Sequence, residues 1–164
     1  MDKELSAALH ARACGDHANS NRLLLDLAQQ FPNDASILYQ CAWSFDLLGE
    51  ERKAVFYYEK AIELKLPLNE LEGALLGLGS TYRTLGEYEK SRNTFIQGIE
   101  KFPQNKAFQA FYAMTLYNLK EHDQAMKLLL TCLVDTTADE QLLNYQKAIR
   151  FYADKLDEKW ESSS

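Results

Sequence analysis

The chain has 164 residues, and its 24 acidic against 18 basic side chains give a formal net charge of −6 and a pI near 5.1. That balance excludes a protein that grips nucleic acid through a basic face. A hydrophobic content of 46% with 12% aromatic residues is ample for a core, while 7 Gly and 3 Pro are too few for the turns of an all-β fold.

The start, Met1-Asp2-Lys3-Glu4, places acids where a secretory leader needs positive charge, and His10 and Arg12 break the apolar stretch behind it. The longest uncharged run through a helix-like segment, residues 107–119, falls short of the roughly 20 that span a bilayer. The expectation is a cytoplasmic protein with no membrane partner and no nucleic-acid partner. Cys14, Cys41 and Cys132 are widely spaced and form no metal-ligand pattern with His10, His17 or His122. Three reduced thiols, no metal and no cofactor are expected.

In chain order the elements form helix pairs. The first pair, residues 1–34, turns at Cys14-Gly15-Asp16 and ends at Phe31-Pro32-Asn33-Asp34. The second, 35–68, turns at Leu48-Gly49-Glu50 and ends at Pro67. The third, 72–105, turns at Leu85-Gly86-Glu87 and ends at Phe102-Pro103-Gln104-Asn105. The fourth, 106–139, turns at Leu119-Lys120-Glu121 and ends at Thr136-Thr137. Successive turns lie 34, 37 and 34 residues apart. In this register Ala8, Ala42, Gly79 and Ala113 form a small column, and Ser20, Ala54, Ser91 and Ala125 form another. Leu24, Tyr58, Phe95 and Leu129 form a bulky column, as do Ala11, Phe45, Tyr82 and Leu116. Spacings of 3 and 4 put these on one helix face, so small columns admit close helix approach and bulky ones fill the space beside it.

The turns carry Gly15, Gly49 and Gly86, with Lys120 as the exception, followed by the acidic column Asp16, Glu50, Glu87 and Glu121. Glycine ends the first helix of a pair, and a carboxylate suits the positive N-terminus of the second. Asn69-x-x-Glu72 has the form of a capping box in the three-residue insertion, which reads as one extra turn on the helix entering the third pair or as a longer loop after Pro67. Beyond the fourth pair, residues 140–160 are expected as a lone capping helix started by a Thr137-x-x-Glu140 box, with Phe151, Tyr152, Leu156 and Trp160 as its packing face. Residues 161–164 are expected to fray.

The run Leu78-Gly79-x-x-Tyr82, Ser91-x-x-x-Phe95 and Pro103 resembles the tetratricopeptide repeat, a 34-residue helix–turn–helix, with Ala54-x-x-x-Tyr58 and Ala125-x-x-x-Leu129 as partial matches. The Trp that opens the family's pattern is absent from all four repeats. The resemblance implies an all-α fold, an α-solenoid of four repeats plus a C-terminal capping helix, forming a single domain over 1–160. It also implies a non-enzymatic scaffold that binds a peptide or partner helix on the surface lined by the first helix of each pair. Carried onto this chain, the groove residues are Tyr39, Gln40, Trp43, Gly73, Leu76, Gly77, Ser80, Arg83, Phe111, Met114, Tyr117 and Asn118. Aromatic walls stand around a bare floor at Gly73 and Gly77, with Arg12 and Arg83 near the lip and Asp46 placed to hold one of them. The Lys/Asn/Arg set with which chaperone-binding relatives hold a peptide carboxylate is missing, since Leu5, Leu9, Gln40, Ala107 and Phe111 stand there. A self-assembling homodimer, or a peptide-responsive sensor, is the alternative. The sensor is disfavoured because the repeat begins at residue 1 and leaves no room for a DNA-binding segment. No phosphate-binding Gly loop, nucleophile elbow or HExxH occurs, so no catalytic residue is expected.

Overall fold

The computed structural model describes residues 1–160, which form helices joined by turns, with no strand among the described residues. The chain forms two compact units, the first spanning Met1–Gly98 and the second beginning at Ile99.

The first unit holds α1 (Asp2–Ala13), α2 (His17–Gln30), α3 (Ala35–Leu47), α4 (Glu51–Glu63), α5 (Leu68–Thr84) and most of α6 (Tyr88–Lys101). Three of its turns are set by glycine in the left-handed region, Gly15 at φ 81°, Gly49 at φ 69° and Gly86 at φ 77°. Each is followed by the same bond, the N–H of Asp16, Glu50 or Glu87 donating to the carbonyl of Ala11, Phe45 or Tyr82 at 2.9–3.0 Å. This six-residue closure satisfies carbonyls that the helix end leaves open. Lys120 adopts φ 67° and the Glu121 N–H donates to the Leu116 carbonyl at 2.9 Å, so the fourth turn keeps the geometry without the glycine. Lys65, at φ 62°, ends α4 in the same region, a position that no glycine marks.

Asp16 and Asp34 cap α2 and α3, their side-chain oxygens accepting from Asn19 and Ile37 N–H at 3.2 and 3.0 Å. Each occupies a donor that the first helical turn cannot satisfy itself. The insertion is the extra turn: α5 has 17 residues where α3 has 13. Its start corrects the expected capping box. Pro67 is the N-cap and Asn69 already lies inside the helix, because proline's fixed φ and missing N–H suit a helix start.

Both small columns of this unit are closed to solvent: Ala8, Ala42 and Ala54 are fully buried, as are Ser20 and Ser91. Leu24, Phe95 and Tyr58 fill the bulky column between them. A Cβ at Gly79 would stand 2.6 Å from the Phe95 ring, so glycine is what permits α5 and α6 to meet there.

The second unit holds the end of α6, then α7 (Ala107–Asn118), α8 (His122–Thr136), α9 (Glu140–Asn144) and α10 (Gln146–Tyr152). Phe108 is fully buried and stacks on Phe102 at 6.3 Å. Ala113, Leu116 and Ala125 form a small core between α7 and α8. Leu129 stands in the same column as Leu24 but is 41% exposed.

The lone helix over 140–160 does not form. A turn at Tyr145 divides α9 from α10, and helix ends at Tyr152. Asn144 and Tyr145, both weak helix formers, stand at the break. Asp139, rather than Thr137, caps α9 by accepting from the Leu142 N–H at 2.9 Å, while the Thr137 hydroxyl accepts from the Asp139 N–H at 3.1 Å. α10 packs on α8. Val134 and Ala153 are buried in this unit, whereas Phe151, Tyr152, Leu156 and Trp160, expected as the packing face, are all about half exposed. Arg150 and Lys106 both reach Asp135, at 2.6 and 3.6 Å. The Arg150 hydrogen bond lowers the Asp135 pKa below its ordinary range. The tail at 161–164 lies outside the described residues.

Candidate functional site

In the first unit, α1 and α3 bring Arg12, Tyr39, Gln40 and Trp43 together. Positions 39 and 43 are one turn apart on α3, so their rings lie along one face, and they stack at 6.3 Å with a 25° interplanar angle. The Arg12 guanidinium sits 4.4 Å above the Trp43 ring. It is held there by Gln40, whose side-chain oxygen and backbone carbonyl accept from it at 2.7 and 3.1 Å. Trp43 remains 43% exposed.

Burial lowers the Arg12 pKa, against smaller opposing pulls from Tyr39, Tyr58 and Cys41. Arg12 has no carboxylate partner among the described residues: its hydrogen-bonding oxygens are those of Gln40, and the three groups that pull its pKa up are phenols and a thiol. The result is a half-buried cation fixed on an aromatic face with its charge uncompensated. Such a group gains from an incoming anion more than a solvated arginine would.

The bare floor is not bare. A Cβ at Gly73 would collide with the Tyr39 hydroxyl, and one at Gly77 would collide with the Tyr58 ring and hydroxyl. The two glycines are notches already occupied by the chain's own tyrosines, not room for a ligand backbone. The Tyr58 hydroxyl donates to Asp46 Oδ2 at 2.7 Å and the Thr81 hydroxyl donates to Oδ1 at 2.9 Å. Asp46 is therefore engaged by two hydroxyls, and Arg12 is held by Gln40 instead. Burial raises the Asp46 pKa, only partly opposed by those two hydrogen bonds. Burial raises that of Tyr58 strongly, with the Asp46 charge adding to it.

Leu76, Ser80 and Arg83 are half-buried on α5. Phe111, Met114, Tyr117 and Asn118 lie on α7 in the second unit. There Met114 and Tyr117 are exposed, and Tyr117 packs on the His122 ring at 4.8 Å. Two residues were underrated by sequence. Arg12 stood only at the lip, and Tyr58 stood only in a core column. A tyrosine in a column otherwise filled by Leu and Phe was a readable signal, since a buried hydroxyl needs a partner.

Cys41 is buried, its thiol donating to the Leu24 carbonyl at 3.4 Å, and burial pushes its pKa up to about 12. Cys132 is only half-buried, and Cys14 is exposed. No group of three or more His, Cys, Asp or Glu among the described residues is placed to hold a metal ion. No helix among them is long and apolar enough to cross a membrane.

A family model described as Tetratrico peptide repeat matches residues 35–156. No curated protein sequence matches the chain. Among solved structures, "MamA 41-end from Desulfovibrio magneticus RS-1" aligns with a TM-score of 0.75 at 16% identity, covering 93% of this chain and 88% of that one. "MamA RS-1 ArsTM double mutant" aligns at 0.75 with 14% identity, covering 95% and 86%. A chain of "Crystal structure of APC/C hetero-tetramer Cut9-Hcn1" aligns at 0.73 with 18% identity, covering 89% of this chain and 29% of that one. At these identities the likeness is one of fold. The family match spans most of the chain and takes in three of the four turns built on one bonding scheme, so the chain belongs to the tetratricopeptide repeat family.

Proposed function

We propose that this protein is a non-enzymatic binding module that takes a peptide or partner helix on the α1/α3 face of its first unit. The repeat is a protein-interaction fold. The observation that carries the finer reading is the half-exposed Trp43, stacked between Tyr39 and an Arg12 guanidinium that no carboxylate neutralises. Exposed aromatic and arginine side chains that are already held in place lose little freedom on binding and dominate interface energies. The ligand chemistry that suits them is an apolar or aromatic anchor beside one acidic group.

In this reading Tyr39, Gln40, Trp43 and Arg12 make the contact, while Gly73 and Gly77 serve as seats for the tyrosines. Leu76, Ser80 and Arg83 belong to the neighbouring α5 surface. Phe111, Met114, Tyr117 and Asn118 offer a separate contact face on the second unit.

Selection of displayed random peptides on the wild-type protein tests this. Enriched sequences should carry an aromatic or large aliphatic residue near an Asp or Glu. A synthetic version should change Trp43 fluorescence in a Trp160→Phe background, which leaves one of the chain's 2 tryptophans. Trp43→Ala should cost more than about 1 kcal/mol of binding. Peptides without acidic bias, or binding untouched by Trp43→Ala and Arg12→Ala, would overturn the reading.

A further inference from the structure

The opposite helices of the first unit carry a second feature. Between α2 and α4 lie two hollows, of about 560 and 350 Å³. Both are lined by Leu25, Phe56 and Tyr57, so Phe56 stands as the ridge between them, 58% exposed. Phe45 closes the larger hollow and Leu38 the smaller. The walls of the larger hollow are mainly apolar, those of the smaller are polar and apolar in equal part, and the charged lining is Arg52, Lys53 and Lys60 against Glu50. Lys60 has no ion pair among the described residues, and Arg52, 80% exposed in its side chain, reaches Glu87 only at 3.9 Å. Lys53 is paired with Glu50.

The C-terminal segment of the same chain has the opposite make-up. Phe151, Tyr152 and Trp160 form one aromatic knob, with Trp160 edge-on to Tyr152 at 5.4 Å and 6.2 Å from Phe151. Half of that surface is open to solvent, and Leu156 beside it is equally exposed. Asp154 is engaged by Lys155 and Lys127, and Lys155 Nζ also lies 4.7 Å from the centre of the Phe151 ring, whereas Asp157, Glu158 and Lys159 have no ion pair among the described residues. An aromatic knob on a segment with three acids against two lysines matches, in shape class and net charge, a two-part groove whose lining holds Arg52, Lys53 and Lys60 against Glu50.

We propose that the α2/α4 groove binds the 151–160 segment of a second copy of this chain, with Trp160 and its neighbouring rings in the hollows and Asp157 and Glu158 facing Lys60 and Arg52. Charge complementarity selects this occupant. Groove and knob are different surfaces, so a pair joined by one contact keeps a free groove on one copy and a free knob on the other. Those two free surfaces either take further copies as concentration rises or close on each other as a reciprocal dimer. The site is separate from the α1/α3 face and does not depend on what that face binds.

Sedimentation of the full chain over a concentration series tests the proposal. Wild type should rise above 18.8 kDa, to a closed dimer or through the dimer to larger species. Phe56→Glu and Trp160→Ala should each stay at monomer mass, with helical circular dichroism unchanged because both side chains are exposed. Mixing the two variants should give one complex of twice the monomer mass and nothing larger, since only one intact groove and one intact knob remain. Reversal of Lys60 and Arg52 to Glu should weaken association tenfold or more, and reversing Asp157 and Glu158 to Lys in the same chain should restore it. Trp43→Ala should associate like wild type, which separates failure here from failure at the α1/α3 face. Wild type that stays monomeric, Trp160→Ala that associates normally, or mixed variants that form no complex would each overturn the proposal.

Discussion

Leu24 and Leu129 occupy one column of the repeat, four residues after Ser20 and Ala125, yet Leu24 is fully buried and Leu129 is 41% exposed. The residue type and helix position are the same. What differs is the next element. α2 is followed by α3, which packs along it, whereas α8 is followed by the short α9 and then α10, whose 7 residues cover only part of it. Burial in a repeat is thus conferred by the following helix, and a column predicts burial only where that helix exists.

The largest expected effect tests this directly. Leu24→Ala should lose about 2–5 kcal/mol of stability, as cavity-forming changes in sealed cores do, while Leu129→Ala should lose less than about 1. Denaturant unfolding of both variants measures the difference, and equal losses would break the comparison. Next comes Gly79→Leu, which must displace the fully buried Phe95 ring and should cost about 1–3 kcal/mol. A melting temperature equal to wild type would show that α5 and α6 are not in close approach there.

Lys120→Gly sharpens the comparison from the stabilising side. It places the residue of the other three turns at φ 67°, and should add up to about 1 kcal/mol by removing the strain of a side chain in the left-handed region. Thermal unfolding reads it, and a drop would mean that the Lys120 side chain carries an interaction of greater worth.

The smallest effect is a slope with pH. Burial raises the native Asp46 pKa above the ordinary 3.8, so the folded chain takes up this proton before the unfolded chain does as pH falls. Ionised Asp46 costs stability above its native pKa, and that cost disappears as pH falls through the window down to about 3.8. Wild type should therefore gain on Asp46→Asn as pH is lowered from about 7 to about 4. Melting temperatures that keep a constant difference would show a carboxyl that is effectively solvated.

Much of the architecture was legible because it is periodic. The turn column foretold the left-handed positions at its three glycines, and Lys120, its exception by residue type, adopts the same region. Lys65 was not legible, since it falls outside that column and closes its helix just before the insertion. The division of α9 from α10 was missed because the segment after the fourth pair has no column to compare with. The site was legible in part: Tyr39, Gln40 and Trp43 do cluster, and their spacing along α3 says so. Gly73 and Gly77 read as open space because a sequence shows that a side chain is absent without showing whose side chain has moved in. Likewise the pairing of Asp46 with Tyr58 and Thr81 depends on which helices meet, and no spacing along the chain encodes it.

The seating of Tyr39 and Tyr58 against Gly73 and Gly77 has a consequence for how such a protein can be cut and rejoined. Both tyrosines belong to the second repeat and both glycines to the third, so the fit straddles the boundary between them. A chimera that replaces the third repeat with a relative's, joined cleanly at that boundary, would put side chains where the rings now rest. The unit that can be exchanged intact is not the 34-residue repeat but the junction, with ring and notch transplanted together.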